Sequence, residues 1–160
     1  KNITMIGNSD IHNPINIEYD IAGGEHRSMT LVFAKEKTQE SIQEALFAGR
    51  TAIYNKDQIH GKKEFLEPLF FKSIHYYFDK NKSIILIKNM TEIPLKLSSE
   101  GENDHCTYTS SLTIDPQKTM YIKVNFKEGK SAENTVLDYK IGNFIVDSGQ
   151  KMNISLTLDE

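Results

Sequence analysis

The chain has 160 residues, of which 38% are hydrophobic and 26% charged, proportions that are typical of a globular protein. Its formal net charge is −3, and its 19 Lys and Arg residues are interspersed with 22 Asp and Glu residues, so we expect no nucleic-acid partner. No apolar run approaches the roughly 20 residues that a membrane-spanning helix requires, so we also expect no membrane span.

The segment Thr4–His12 carries the strongest chemical signal. A short apolar strand is predicted to lead into Gly7, and Asp10 and His12 follow it. In an extended backbone, residues two positions apart point the same way, so a carboxylate and an imidazole would converge. Such a pair suits a divalent metal ion such as Zn, Mn or Fe, but a catalytic zinc needs about three protein ligands. The alternative is a polar turn that follows a strand.

The polar segment Asn13–His26 is predicted to be an exposed loop. Asp20, Glu25 and His26 are either further ligands or part of a solvated loop. Arg27 directly follows His26, and a guanidinium group beside a metal centre can bind a phosphate with two parallel hydrogen bonds. His26 and Arg27 are therefore the candidate substrate-binding residues.

A strand, a helix and a second strand are predicted next. Met29–Ala34 is almost continuously apolar, which is typical of a strand that is covered on both faces. Thr38 is a suitable N-cap for a helix, and Gly49 is a suitable stop. Arg50–Tyr54 would return as a strand. This order predicts a piece of a parallel α/β fold with a right-handed crossover.

The residues that follow are predicted to join two domains. We expect Asn55–Gly61 to be a loop, in which Asp57 and His60 are spaced wrongly for a shared metal ion. A short helix should end near Pro68. The predicted domains are therefore residues 1–67 and residues 68–160.

From Phe71 onward the hydrophobic pattern has a period of two. Thr119–Phe126 and Met152–Leu158 both alternate apolar and polar residues, and turn residues separate several such segments. This pattern predicts an antiparallel β-sandwich of the immunoglobulin-like kind. The sequence has no tryptophan and only one cysteine, so the disulfide and tryptophan of antibody domains are absent.

Three groups in the predicted sandwich invite a functional interpretation. Cys106 follows His105, but neighbours on a strand point to opposite faces, so a structural thiol is favoured over a nucleophile and its base. The aromatic segment Tyr76–Phe78 is either a platform for a sugar or part of the core. The acidic segment Glu100–Asp104 lacks the regular ligand spacing of a calcium loop, and a solvated loop is favoured.

Three segments carry a resemblance to a known family. They are Gly7-Asn8-Ser9-Asp10-Ile11-His12, His26–Ala34 and Thr38–Ala52. Together they resemble the end of a PHP (polymerase and histidinol phosphatase) domain, in particular the bacterial PHP phosphodiesterase-like proteins that carry an extra β domain. Asp10 and His12 match the last metal motif of that family, Gly-Ser-Asp-x-His. The earlier motifs of the family have no counterpart in these 160 residues.

The resemblance implies an α+β chain: the C-terminal piece of a PHP-type α/β barrel, followed by the sandwich. Asp10 and His12 would hold divalent metal ions (Zn, Mn or Fe) in the intact protein, and the missing N-terminal part of the same domain would supply the other ligands. The implied activity is hydrolysis of a phosphoester substrate, either a diester or a monoester. The isolated chain is expected to be inactive and to bind no metal ion by itself, and no catalytic residue is assigned.

A second hypothesis treats the chain as a non-catalytic module whose β-sandwich binds a carbohydrate or a protein. In an excised barrel piece, the strand edges at Ile3–Ile6 and Met29–Ala34 would be unpaired, so we expect a homodimer through them, a rearrangement, or fraying. The sequence opens on Lys1 and not on methionine, so we expect it to be part of a longer protein. The compartment is therefore unassigned, and periplasmic, secreted and cytoplasmic locations stay open.

Overall fold

A computed structural model describes residues 4–23, 25–146 and 149–158. Within these ranges the chain forms two compact units. The first contains residues 4–66, with residues 144–146 and 149–150. The second contains residues 67–143 and 151–158. No helix among the described residues is long and apolar enough to cross a membrane.

The first unit combines short helices with a small sheet. Its elements are α1 at Ile15–Glu18, β1 at Met29–Val32, α2 at Gln39–Phe47, β2 at Thr51–Asn55 and β3 at Gln58–Gly61. Helix α2 lies where it was predicted, because the Thr38 hydroxyl accepts a hydrogen bond from the backbone N–H of Ser41 at 3.2 Å. Gly49 has a φ of 68° and follows the helix as a left-handed stop.

The parallel arrangement predicted for residues 29–54 is wrong. Strand β1 pairs with β2 in the antiparallel direction, with Met29 opposite Tyr54 and Val32 opposite Thr51. Two hydrogen bonds at the ends of the segment between β1 and β2 explain the antiparallel direction. The N–H of Phe33 donates to the carbonyl of Arg50 at 3.0 Å, and Arg50 Nε donates to the carbonyl of Phe33 at 3.1 Å. These bonds bring the start of β2 to the end of β1, so the chain must return antiparallel.

The predicted loop at Asn55–Gly61 is also wrong, because Gln58–Gly61 forms β3 and pairs antiparallel with β2. Lys56 and Asp57 have φ values of 47° and 61°, as a two-residue hairpin turn requires. Gly61 serves close packing and not a turn, since a Cβ there would lie 3.0 Å from the Cβ of Ala52. Residues Phe144–Val146 then pair in parallel with Ile59–Gly61.

The piece of a PHP-type barrel that was expected in residues 1–67 is therefore not shown by the described residues. Residues 4–6, predicted as a strand edge, lie outside any strand, and β1 pairs with β2. Ile3 lies outside the described residues. Strand β1 is the first strand in the sheet order, so its outer edge has no strand partner among the described residues, and dimerisation through that edge stays a prediction.

Helix α3 covers Lys63–Ser73, so the helix that was expected to end near Pro68 continues for another turn. A proline inside a helix removes one backbone hydrogen bond, which usually destabilises the helix. Leu66 and Phe70 are both completely buried, and their burial offsets this loss.

The remaining strands are β4 at Ile74–Asp79, β5 at Ile84–Asn89, β6 at Leu95–Ser98, β7 at Cys106–Tyr108, β8 at Ser111–Ile114, β9 at Thr119–Phe126, β10 at Val136–Val146 and β11 at Gln150–Thr157. In the second unit they form two sheets, one in the order β4-β5-β9-β7 and one in which β6 pairs with β8 and β10, and β10 with β11.

This architecture confirms the predicted immunoglobulin-like β-sandwich. The inward side chains are almost completely buried, and they include Ile85, Ile87, Ile122, Val124, Leu137, Tyr139, Ile141, Ile154 and Leu156. Met120 departs from the predicted alternation, because its side chain is 40% exposed although it has the parity of the buried residues in β9. The two-residue pattern of the sequence therefore identified the inner face of most of β9.

Candidate functional site

Asp10 and His12 lie on an exposed segment before β1. Residues 4–12 are not in a strand, and Asp10 has a φ of 51°, so the extended geometry that was predicted for the pair is wrong. The two side chains nevertheless approach each other, with Asp10 Oδ1 at 3.6 Å from His12 Nε2. Their side chains are 95% and 81% exposed, respectively. The local backbone bend, and not strand periodicity, produces this approach.

Two threonine hydroxyls hold the segment that leads to this pair. The N–H of Gly7 donates to Thr30 Oγ1 at 3.0 Å, and the same hydroxyl donates to the carbonyl of Gly7 at 3.1 Å. The hydroxyl of Thr51 donates to the carbonyl of Met5 at 2.7 Å. A Cβ at Gly7 would lie 2.7 Å from Ile53 Cγ2, so a glycine is needed for this close approach.

Replacement of Thr30 by valine tests this anchoring. The variant keeps the shape of the side chain and removes both hydrogen bonds to Gly7, so we expect amide hydrogen exchange at Gly7 to accelerate by about tenfold. NMR-detected exchange measures this rate. Thr113 on β8 is exposed, and Thr113→Val is the control that should leave the Gly7 rate unchanged. Equal Gly7 rates in wild type and Thr30→Val would contradict the anchoring.

The two donors fit part of a metal site. In tetrahedral zinc, with ligand atoms about 2.1 Å from the metal, neighbouring ligand atoms are about 3.4 Å apart. The 3.6 Å between Asp10 Oδ1 and His12 Nε2 is close to that separation. Within the described ranges, no group of three or more His, Cys, Asp and Glu side chains could hold an ion. A metal role for Asp10 and His12 therefore stays a prediction, and it requires further ligands from outside the described residues.

The predicted substrate-binding residues His26 and Arg27 are both exposed. Arg27 lines a shallow depression of about 400 Å³ together with Gly7–Ser9 and Ser28–Thr30. The ring of His26 contacts Tyr54 instead, with ring centroids 6.4 Å apart. The structure thus brings Arg27 to the segment that leads into Asp10, whereas a binding role for either residue stays a prediction.

Other polar candidates of the first unit have structural partners. Asp20 Oδ1 accepts a hydrogen bond from the N–H of Gly23 at 2.9 Å, and Glu25 accepts one from the N–H of Asp20 at 2.8 Å. These bonds shape the loop before β1. His60 lies on β3, and its Nε2 is 3.1 Å from Gln58 Oε1.

Cys106 is a structural thiol. Its side chain is completely buried, and burial raises the pKa of the thiol. His105 does not act on it, because His105 Nδ1 forms a hydrogen bond of 2.9 Å with the hydroxyl of Thr135. A neutral, buried thiol of this kind is a poor nucleophile, in agreement with the interpretation from the sequence.

A cleft of about 540 Å³ opens in the second unit, lined in part by Ser98, Glu100, Asn103 and Lys140. Two of its polar side chains donate hydrogen bonds to backbone carbonyls. Tyr108 donates its hydroxyl to the carbonyl of Asp138 at 3.2 Å, and Asn103 Nδ2 donates to the carbonyl of Val136 at 2.8 Å. Burial raises the pKa of Tyr108. These two hydrogen bonds tie Tyr108 and Asn103 to the backbone of β10.

The exposed aromatic residues are arranged differently from the predicted Tyr76–Phe78 platform. Tyr77 is 66% exposed, whereas Tyr76 and Phe78 are half-buried on the inner side. Tyr121, which is 60% exposed on β9, was not among the predicted functional residues. Alternation along β9 puts Tyr121 on the face opposite Ile122 and Val124, and the strand register shows that it lies in the same cross-strand line as Tyr77.

Comparisons with known proteins identify the sandwich. A family model described as an Ig-like domain matches residues 70–157. A solved structure from Bacteroides vulgatus, a two-domain protein containing a predicted PHP-like metal-dependent phosphoesterase, is 37% identical, with a TM-score of 0.83. The match covers 97% of this chain and 46% of that protein, so the chain spans less than half the length of this relative. No curated protein is significantly similar. The match over more than half of its residues shows that the chain belongs to this family of Ig-like domains.

Proposed function

We propose that this chain is the accessory part of a two-domain, PHP-like, metal-dependent phosphoesterase, and that it contributes Asp10 and His12 to the metal centre. The 3.6 Å approach of Asp10 Oδ1 and His12 Nε2 on an exposed segment is the observation that carries the proposal. The likeness to the Bacteroides vulgatus protein supports it, because that protein contains a predicted phosphoesterase of this kind.

Exposed apolar side chains of the first unit add support. Phe47, at the end of α2, is 83% exposed, and Ile6 and Ile17 are 62% and 70% exposed. Ile15 and Ile21 are also exposed. Exposed apolar side chains are expected where another protein surface packs. Residues 6–21 include Asp10 and His12, so a domain that covers the isoleucines would also reach the metal pair.

The chemistry of the pair suits this role. A bound divalent ion (Zn, Mn or Fe) would supply an activated water for attack on the phosphoester. Asp10 would bind the ion through a carboxylate oxygen and His12 through Nε2, and the catalytic domain would supply the remaining ligands. Arg27 would bind the phosphate through its guanidinium group. The Ig-like sandwich contributes no catalytic group, and the 160-residue chain alone should not hydrolyse phosphoesters.

The complete gene product tests the proposal. We expect Asp10→Asn and His12→Gln each to reduce the hydrolysis of bis(p-nitrophenyl) phosphate by at least about 100-fold, because each removes a ligand of the metal centre. Mass spectrometry of the purified protein should also show less bound metal in both variants.

Matched controls exist in the second unit. Asp104 and His75 are an exposed acid and an exposed histidine on the sandwich, so Asp104→Asn and His75→Gln should leave metal content and rate unchanged. If Asp10→Asn and His12→Gln also leave both quantities unchanged, these two residues are not ligands and the proposal is rejected.

A further inference from the structure

A row of exposed apolar side chains crosses the sheet β4-β5-β9-β7. Tyr77 is opposite Leu86, and Leu86 is opposite Tyr121, so the three residues occupy one line across three neighbouring strands. Tyr77, Leu86 and Tyr121 are 66%, 39% and 60% exposed. We call these three residues the tyrosine row. Adjacent strands are about 4.8 Å apart, so the Cα atoms of Tyr77 and Tyr121, which lie two strands apart, are separated by about 10 Å.

The outward positions on either side of the row include two lysines, together with His75 and Thr119 on one side and Asp79 and Ile84 on the other. Lys88 follows Leu86 by two residues, and Lys123 follows Tyr121 by two residues, so both are exposed on the same face as the row. Because β5 and β9 are antiparallel, the two lysines lie on opposite sides of it, each about 7 Å away along its strand. Asp79 also lies near the row. Its carboxylate oxygen is 3.4 Å from Lys82 Nζ, so the positive charge of Lys82 offsets the negative charge of Asp79.

Lys88 and Lys123 place two positive charges on this face, although the formal net charge of the whole chain is −3. Cross-strand packing alone accounts for aromatic residues on a sheet surface, but it does not account for lysines on both sides of them. A flat aromatic row between two cations is complementary to a ligand that has apolar faces and regularly spaced negative charges.

We propose that the tyrosine row binds an anionic polysaccharide built from uronic acid units. The faces of Tyr77 and Tyr121 stack against the C–H faces of sugar rings, and Leu86 fills the space between them. Lys88 and Lys123 pair with carboxylates along the chain. Two lysines beside a row of about 10 Å suit a polymer with one charge per sugar better than a more densely charged one. This binding activity is independent of the proposed phosphoesterase role.

Binding to polygalacturonate, measured by isothermal titration calorimetry at low salt, tests the proposal. Dextran supplies sugar rings without charge, and poly-L-glutamate supplies carboxylates without sugar rings. We expect polygalacturonate to bind at least about tenfold more tightly than either polymer, because only it offers both kinds of contact. Addition of salt should weaken the binding, since exposed lysines contribute to it.

Substitutions then test the assignment of the site. Tyr77→Ala and Tyr121→Ala should each weaken polygalacturonate binding by about tenfold, whereas Tyr77→Phe should retain it because the ring is kept. Phe47→Ala is the matched control, since it removes an exposed aromatic ring of the first unit. Lys88→Gln and Lys123→Gln should reduce the salt dependence, and Lys130→Gln, at an exposed turn, should not. Circular dichroism verifies that each variant is folded.

Three results would overturn the proposal. Equal binding of poly-L-glutamate would show that charge alone acts and would favour an acidic protein partner. Tighter binding of dextran sulfate would show that the site does not select carboxylates. The tyrosine row is not the site if polygalacturonate binding is undetectable. The same conclusion follows if binding is unchanged in folded Tyr77→Ala and Tyr121→Ala.

Discussion

Replacement of Asn89 by aspartate is expected to lower the free energy of unfolding by about 3–5 kcal/mol at neutral pH. Asn89 is completely buried, and its Nδ2 donates to the carbonyls of Ile93, Ile114 and Asp115 at 2.7, 3.0 and 3.3 Å. Its Oδ1 accepts hydrogen bonds from the N–H and the hydroxyl of Thr91. Aspartate has nearly the same shape, but it would turn a carboxylate oxygen towards the carbonyls.

Denaturant titration measures this loss, and its pH dependence gives a second test. The fold would raise the pKa of the new carboxyl group above its unfolded value of about 3.9, so the folded state would bind the extra proton more tightly. The deficit should therefore be smaller at pH 4 and grow as the pH rises towards 7. Asn153 is exposed on β11, and Asn153→Asp is the control with a small expected effect. Similar losses in both variants would contradict the role of Asn89.

Replacement of Gly101 by alanine is expected to lower the free energy of unfolding by about 3 kcal/mol. Gly101 has a φ of 76°, and a left-handed backbone costs an alanine about 1–2 kcal/mol. A Cβ there would also lie 2.7 Å from Ser110 Cβ and 3.0 Å from the carbonyl oxygen of Tyr108. Because that oxygen belongs to the backbone, relief requires movement of the main chain.

Gly129 is a matched control for this experiment. Its φ is 71°, and a Cβ there would meet nothing within 4 Å, so Gly129→Ala carries the backbone strain without the clash. Thermal or denaturant unfolding of both variants then separates the two effects. We expect Gly101→Ala to be the less stable of the two by about 1–2 kcal/mol. Equal stabilities would show that the neighbours of Gly101 can move aside.

Local signals in the sequence predicted the parts of the fold that depend on neighbouring residues. Helix α2 depends on its Thr38 cap and on Gly49, and the inner face of β9 follows from alternation. The direction of β1 relative to β2 could not be predicted in this way. An apolar strand pattern indicates that the strand is buried, but it does not indicate whether the strand pairs in the parallel or the antiparallel direction. Hydrogen bonds between Phe33 and Arg50, 17 residues apart, fix that direction, and no local pattern encodes them.

In the candidate site, too, local features could be predicted from the sequence and long-range features could not. The residue types of Asp10 and His12 indicated a metal pair, but the backbone that brings them together has a left-handed residue where an extended strand was predicted. Tyr121 was placed on an outer face by alternation, yet its alignment with Tyr77 depends on the register of three strands. Register between strands is a long-range property, so the tyrosine row could not be predicted from the sequence.

The anchoring of residues 5–7 by threonine hydroxyls makes the segment that carries Asp10 and His12 a suitable graft point. Thr30 and Thr51 hold this segment through side chains, while the main chain of β1 pairs with β2. We therefore expect the sheet to keep its pairing when residues 8–12 are exchanged for other sequences. A library that retains both threonines and Gly7 would present new peptides on the same scaffold.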